Sequence, residues 1–413
     1  MKNFKKEVLE SGITLITEKK PYFNSISIGL WVKTGSVYEP EELNGISHFI
    51  EHLLFKGTKN RTYKEINREI DLMGGALNAF TGTELTCLYT KVLYKNYDAA
   101  VDLLIDLMFN SLFPEDEIEK EKSVILQEIS GVQDDPSDYS MELFHRNFYG
   151  NSSYAFPILG TENTIKNFNR KKILDYYYRH YNPANIIISI AGNFEHSKIA
   201  DSVNRYMGKI AYSYDKGVIQ KKFKTDKVYG DFIQNKDLEQ THFLIGLEGI
   251  SRSDEDFFSA EVLNTILGAS VSSKLFQEVR ENKGLAYSIY SNSVFHKSDG
   301  YFYIYAGVSP KKFKLSKELI FDIIDGIVGG GISEEEVINA KKHIYDGFLL
   351  SMESTGNIMN RNAINEIYEG RYISKAQVLK KIEKVDGHSV KRISSRLFSN
   401  KKNRNISVLG KVK

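Results

Sequence analysis

His48-Phe49-Ile50-Glu51-His52 sets two imidazoles four residues apart, with a carboxylate beside the second. On a helix, residues four apart share a face about one turn from each other. That spacing lets both rings reach one metal ion. Glu51 then projects beside the ion rather than onto it, where it could take the proton of an activated water. The order is H-x-x-E-H, the reverse of the commoner H-E-x-x-H pattern. A catalytic metal needs a third protein ligand and an open position. Glu121 and Glu128, seven residues apart, share a face of a later helix, and Glu128 follows His52 by 76 positions. Such a pair provides one ligand and one helper, the helper orienting a histidine or assisting proton transfer. Two imidazoles and a carboxylate suit zinc, with manganese and cobalt compatible by ligand type. The remaining histidines (His145, His180, His196, His242, His296, His343 and His388) form no comparable pair and read as structural or exposed.

The elements that must carry these residues follow from pattern. A helix is expected over roughly Glu41 to Phe55, closing at Gly57, and another over Tyr63 to Met73, ending at Gly74-Gly75. Ala76 to Leu93, rich in Thr, Tyr, Leu and Phe, reads as a hairpin turning at Thr81-Gly82-Thr83. Pro114 opens a long helix that reaches about Val132. The pattern then recurs. Ser25 to Val32 resembles Thr241 to Glu248, with Gly29 and Gly246 217 residues apart, and Asn185 to Gly192 resembles Asn405 to Gly410, with the closing glycines 218 apart. Two matches at nearly one offset point to an internal duplication. The second copy has a hairpin near Ala286 to Gly307 and a long helix from about Glu334 to Met352. The fold class expected is α+β, two homologous sandwiches of helices on a sheet. The polar, basic stretch between Ile210 and Lys227 divides them into 1–215, with the metal motif, and 225–413, without it.

The 413 residues suit two domains. With 55 basic and 53 acidic residues the net charge is +2, which gives no electrostatic case for nucleic acid. No apolar run approaches the length of a membrane span, and the start has no secretory core, so an intracellular, cytoplasmic protein is expected. The one cysteine, Cys87, has no intramolecular disulfide partner and sits in an apolar run, as a buried hydrophobe does.

Taken together these motifs resemble the pitrilysin/insulinase family of metallopeptidases, in its short bacterial form. The resemblance covers nearly the whole chain. It runs through Gly35-Ser36 to Gly57-Thr58, Leu77-Asn78-Ala79-Phe80-Thr81, Glu121 to Ile129, and Asn182-Pro183-Ala184-Asn185. It implies one zinc per chain, Glu128 as third ligand and Glu121 as supporting acid. Arg280-Glu281-Asn282-Lys283-Gly284-Leu285-Ala286-Tyr287 is a second signature. It implies that Arg280 and Tyr287 contact substrate, the tyrosine steadying the oxyanion. Asn78 and Ala79 match the family's edge strand, to which a substrate peptide adds through its backbone. The second copy lacks the metal set, with Leu263 to Gly268 in place of the motif. Family chambers close around four such domains, so two domains imply half a clamshell and a homodimer that takes peptide substrates. Two rivals remain at this stage: a non-catalytic subunit of the same fold, and a metallohydrolase of substrates other than peptides.

Overall fold

The structure is a computed structural model that describes residues 3–210, 223 and 225–412. The expected boundary between Ile210 and Lys227 lies for most of its length outside the described residues. The chain forms two compact units. The first contains Met1–Ser130, Phe156–Lys222 and Ser351–Tyr372; the second contains Gly131–Ala155, Phe223–Leu350 and Ile373–Lys413.

Among the described residues the first unit holds six strands: β1 (Phe4–Val8), β2 (Thr14–Lys19), β3 (Ser25–Val32), β4 (Ala76–Thr81), β5 (Thr86–Leu93) and β6 (Ile186–Gly192). Their order is β1-β2-β6-β3-β5-β4. Only the β2–β6 pair is parallel. The second unit holds β7 (Gly230–Gln234), β8 (Thr241–Glu248), β9 (Ala286–Phe295), β10 (Gly300–Val308) and β11 (Asn405–Leu409) in the order β7-β11-β8-β10-β9. Here only β11–β7 is parallel. One parallel pair followed by an antiparallel run is common to both, so the duplication and the α+β class hold.

The register refines the repeat. Ile26 pairs with Gly192, and Leu409 pairs with His242, which sets Gly410 opposite Thr241. Ile26 is thus equivalent to Thr241, and Gly246 to Trp31 rather than to Gly29. The two glycines nevertheless do the same work two positions apart. Alternate residues of β3, namely Ile26, Ile28, Leu30 and Val32, face a core shared with the Ile46–Leu53, Tyr97–Asn110 and His196–Met207 helices. The opposite face receives the Thr355–Glu369 helix, whose Ile358, Met359 and Ala363 pack on Trp31, Cys87 and Ile187. A Cβ on Gly29 would stand 2.7 Å from Trp31 Nε1 and 3.1 Å from Met359 Cε. In the second unit the Pro136–Tyr149 helix covers β8, and a Cβ on Gly246 would stand 2.9 Å from Phe144 Cζ. Each unit therefore takes one covering helix from the other half of the chain, and a strand glycine admits it.

The expected helix from Glu41 to Phe55 is shorter. Two 3₁₀ turns, Ser36–Tyr38 and Glu41–Leu43, precede it, and the α-helix runs Ile46–Leu53. Gly45, at φ +92°, breaks the continuity, since a left-handed residue cannot extend a right-handed helix. The Tyr63–Leu72 and Glu334–Ser351 helices and both hairpins fall where expected.

Replacing Gly246 by Ala forces the Phe144 ring to move in a packed layer. A loss of about 1–3 kcal/mol is expected, read as a lower urea midpoint for the full chain, whereas an unchanged midpoint would show that the covering helix has slack.

Candidate metal centre

Helical spacing stacks His48 and His52 on one side of the Ile46–Leu53 helix, with ring centroids 4.6 Å apart. The other side of that helix (Ile46, Phe49, Ile50 and Leu53) is buried in the core, so the histidines are directed outward by the need to bury the apolar stripe. The Glu115–Asp134 helix brings Glu128 against them. Its Oε2 lies 3.8 Å from His48 Nε2 and its Oε1 3.7 Å from His52 Nε2. Among the described residues this is the one group of three or more His, Cys, Asp or Glu side chains able to share an ion, with ligand atoms all within 4.8 Å of one another.

The donor set fits zinc. Tetrahedral bonds of about 2.0–2.1 Å place ligand atoms about 3.3 Å apart, close to the separations found here. His52 Nδ1 is 2.9 Å from Glu121 Oε2, which fixes its ring and leaves Nε2 for the metal. Glu121 is buried and its other oxygen pairs with Lys56. His48 is held by no such partner, its Nδ1 being buried without a hydrogen bond. Burial, and secondarily the neighbouring His52, push the His48 pKa down to about 4, so its ring is a neutral ligand at neutral pH.

Glu51 points into the same space but is not one of the three. Its Oε2 accepts a 2.5 Å hydrogen bond from Thr81 Oγ1, at the end of β4. Burial raises its pKa, the Thr81 bond and His52 oppose that rise, and Glu128 adds to it. A carboxylate with a raised proton affinity beside a metal site is suited to accepting a proton. Thr81 leads back along β4 to Asn78 and Ala79, on the free edge of the six-stranded sheet. Asn78 is exposed, and its Oδ1 accepts from Ala79 N at 2.8 Å. An N–H satisfied by its neighbour's side chain is not committed to β5, so it faces the open edge.

Arg280 and Tyr287 belong to the second unit. Arg280 lies on a π-helical turn, Phe276–Asn282, with its guanidinium 4.8 Å from the Phe276 ring. Tyr287 is on β9 and is 67% exposed, far more than a packing role needs. Cys87 is wholly buried, and burial followed by the charge of Glu51 pushes its thiol up, away from a nucleophile. The sequence reading missed Lys56 and the specific role of Thr81. Lys56 lies past the end of the Ile46–Leu53 helix, so helical spacing gave no signal for it.

Residues 14–162 match the family model described as Insulinase (Peptidase family M16), and residues 167–344 match that of the Peptidase M16 inactive domain. The chain is 37% identical over 396 residues to a Bacillus subtilis protein named as the uncharacterized zinc protease YmxG, covering 96% of each. It is 36% identical over 399 residues to an uncharacterized zinc protease of Rickettsia felis, covering 96% of this chain and 95% of that one. A crystal structure of a protease from Helicobacter pylori superposes with a TM-score of 0.93 at 21% identity, over 98% of this chain and 99% of that one.

Two substitutions separate ligand from helper. Glu128→Ala should abolish stoichiometric zinc binding. Glu121→Ala should weaken it by roughly 10- to 100-fold, measured by competition with a chromophoric chelator. Equal, full-strength binding by both variants would remove the Glu115–Asp134 helix from the site.

Proposed function

Because this chain belongs to the M16 insulinase family of peptidases, we propose that it is an endopeptidase of peptides and unfolded polypeptide segments, working at the His48–His52–Glu128 centre. It is a zinc-dependent peptidase. The observation that carries the finer reading is the convergence of both Nε2 atoms and the Glu128 carboxylate, with Glu51 held beside them by Thr81.

When bound, zinc supplies Lewis acidity to the scissile carbonyl and to the attacking water. The rest of the chemistry belongs to the chain. Glu51 accepts the water proton on a carboxylate oxygen and returns it to the leaving amine. Thr81 holds the opposite carboxylate oxygen and so aims Glu51 at the reacting water. Glu121 fixes the His52 ring from behind, and Lys56 balances its charge. The edge of β4 at Asn78 and Ala79 takes a substrate as an added strand, which reads main chain and tolerates many sequences. Arg280 and Tyr287 bind substrate, the phenol steadying the developing oxyanion.

Residues 1–215 act as the metal-bearing domain and 225–413 as the domain carrying Arg280 and Tyr287, with one zinc per chain. The chain works as a homodimer in which two copies close a chamber that excludes folded proteins. Support for a cytoplasmic location is a composition with one buried cysteine and no disulfide. Among the described residues no helix is long and apolar enough to cross a membrane.

A fluorogenic unstructured peptide tests the chemistry. Wild type should cleave it, chelator should stop cleavage and zinc should restore it. Glu51→Gln should lose on the order of a hundredfold or more in kcat while still holding zinc, and a Glu51→Gln variant that cuts like wild type removes Glu51 as the base. The dimer is tested by sedimentation at assay concentration, where a fully active monomer rules out a chamber of two copies.

A further inference from the structure

The helix that bears both histidines is eight residues long, too short to hold itself together in isolation. Its cap position gives it no side-chain help. Gly45 is left-handed at φ +92°, and a Cβ there would stand 2.6 Å from Gly160 Cα; Gly160 is left-handed too, and its Cβ would stand 2.6 Å from Asn44 O. No residue with a side chain fits at either position without moving backbone, so capping must come from elsewhere.

It comes from Glu39, six residues before Gly45 and 1% exposed. Glu39 Oε2 accepts from Gly45 N at 2.7 Å and from Asn44 Nδ2 at 3.0 Å, and Oε1 accepts from Ser47 N at 2.8 Å. Among the described residues no Lys, Arg or His forms an ion pair with it. A buried carboxylate without a cation is costly. Burial drives its pKa up to about 7, against the pull of these donors. Its compensation is the N-terminus of the helix, where free N–H groups and the helix dipole favour an anion. Ser47 Oγ continues the network to Tyr176 Oη at 3.1 Å, which meets Thr34 Oγ1 at 3.1 Å.

The two histidine ligands are oriented by different means. His52 is held through its ring by Glu121. His48 has no hydrogen bond at Nδ1, so its ring is placed by packing and by the backbone of the first turn, where Glu39 grips Ser47, the residue before it. We propose that Glu39 is a positioning residue of the metal centre, a remote cap whose buried carboxylate fixes the first turn of the Ile46–Leu53 helix and thereby the His48 imidazole. This rests on His48 being a metal ligand.

The test uses the full chain with Glu39→Gln, which keeps the shape of the side chain but turns an amide NH2 toward backbone donors. Thr62→Ala is the control, because Thr62 caps the Tyr63–Leu72 helix, which bears none of the proposed ligands. Both variants should melt earlier than wild type. Glu39→Gln alone should lose roughly tenfold or more in zinc affinity by chelator competition, change the ligand-field spectrum of the cobalt(II) form, and lower kcat at saturating zinc with little change in KM. If Glu39→Gln behaves as Thr62→Ala does, less stable but with wild-type zinc affinity and kcat, Glu39 is an ordinary helix cap and the proposal fails. Should Glu39→Gln not accumulate as folded protein, Glu39→Asp carries the test: a severalfold loss of zinc affinity supports the proposal and wild-type affinity overturns it. A wild-type protein that binds no zinc overturns the metal-centre reading itself and this inference with it, an outcome distinct from zinc bound equally well by wild type and variant.

Discussion

Glu51, Glu121 and Glu128 gather around two imidazoles at one helix face, and the first unit gives each carboxylate a different partner there. Each carboxylate is handled differently. Glu121 is buried but neutralised by Lys56 and bonded to His52. Burial raises the affinity of Glu51 for a proton, and the Thr81 hydroxyl that steadies it opposes the rise. Glu128 remains accessible, facing both Nε2 atoms at just under 4 Å. A divalent ion between those atoms would be attracted by the Glu128 charge. The three acids, close in space, thus differ in their surroundings in the way the proposed roles of helper, base and ligand require.

Holding that arrangement requires two helices to stay fixed to within fractions of an ångström, and the sheet is the frame. The Ile46–Leu53 helix packs its apolar stripe on the inner face of β3 and its neighbours, while β4 runs past its histidine side and delivers Thr81. The outer face of the sheet is closed by the Thr355–Glu369 helix, where Ser189 Oγ donates to Met359 O at 2.8 Å and Ser27 Oγ meets Thr355 Oγ1 at 2.9 Å. Stability of the first unit therefore depends on residues 170 and 328 positions downstream of the strand residues they meet. Neither unit is complete without a piece of the other half of the sequence.

That exchange marks the limit of what was legible beforehand. That His48 shares a face with His52, and Glu121 with Glu128, could be read because helical spacing converts sequence offset into a shared face, while joining the two helices at one site rested on the family resemblance. The two hairpins and the long helices were legible for the same reason: their periodicity is local. What spacing did not reveal was anything set by long-range contact. The Gly29 and Gly246 match looked like a repeat register, yet sheet pairing makes Gly246 equivalent to Trp31. Both glycines exist because a distant helix comes close to the strand. Likewise Glu41 to Phe55 read as one helix because its composition favours one. The Gly45–Gly160 contact, with backbone meeting backbone, breaks it and creates the need for Glu39.

The second unit shows how the copy without the histidine pair uses the corresponding helix. In the Ile46–Leu53 helix, His48, Glu51 and His52 keep partial access to solvent on a face the core does not claim. In the Phe257–Leu267 helix the run Val262 to Leu267 is buried without interruption, and Asn264 is tied to Ser291 Oγ at 2.7 Å. A helix buried on every side has no open face for water or a substrate, and imidazoles placed there would be desolvated rather than available. The long helix of that unit puts Ala340, a buried and chemically inert side chain, on its inner face. This copy spends its helix surface on packing. Arg280 and Tyr287, on its π-helical turn and edge strand, stay accessible, as the substrate role proposed for them requires.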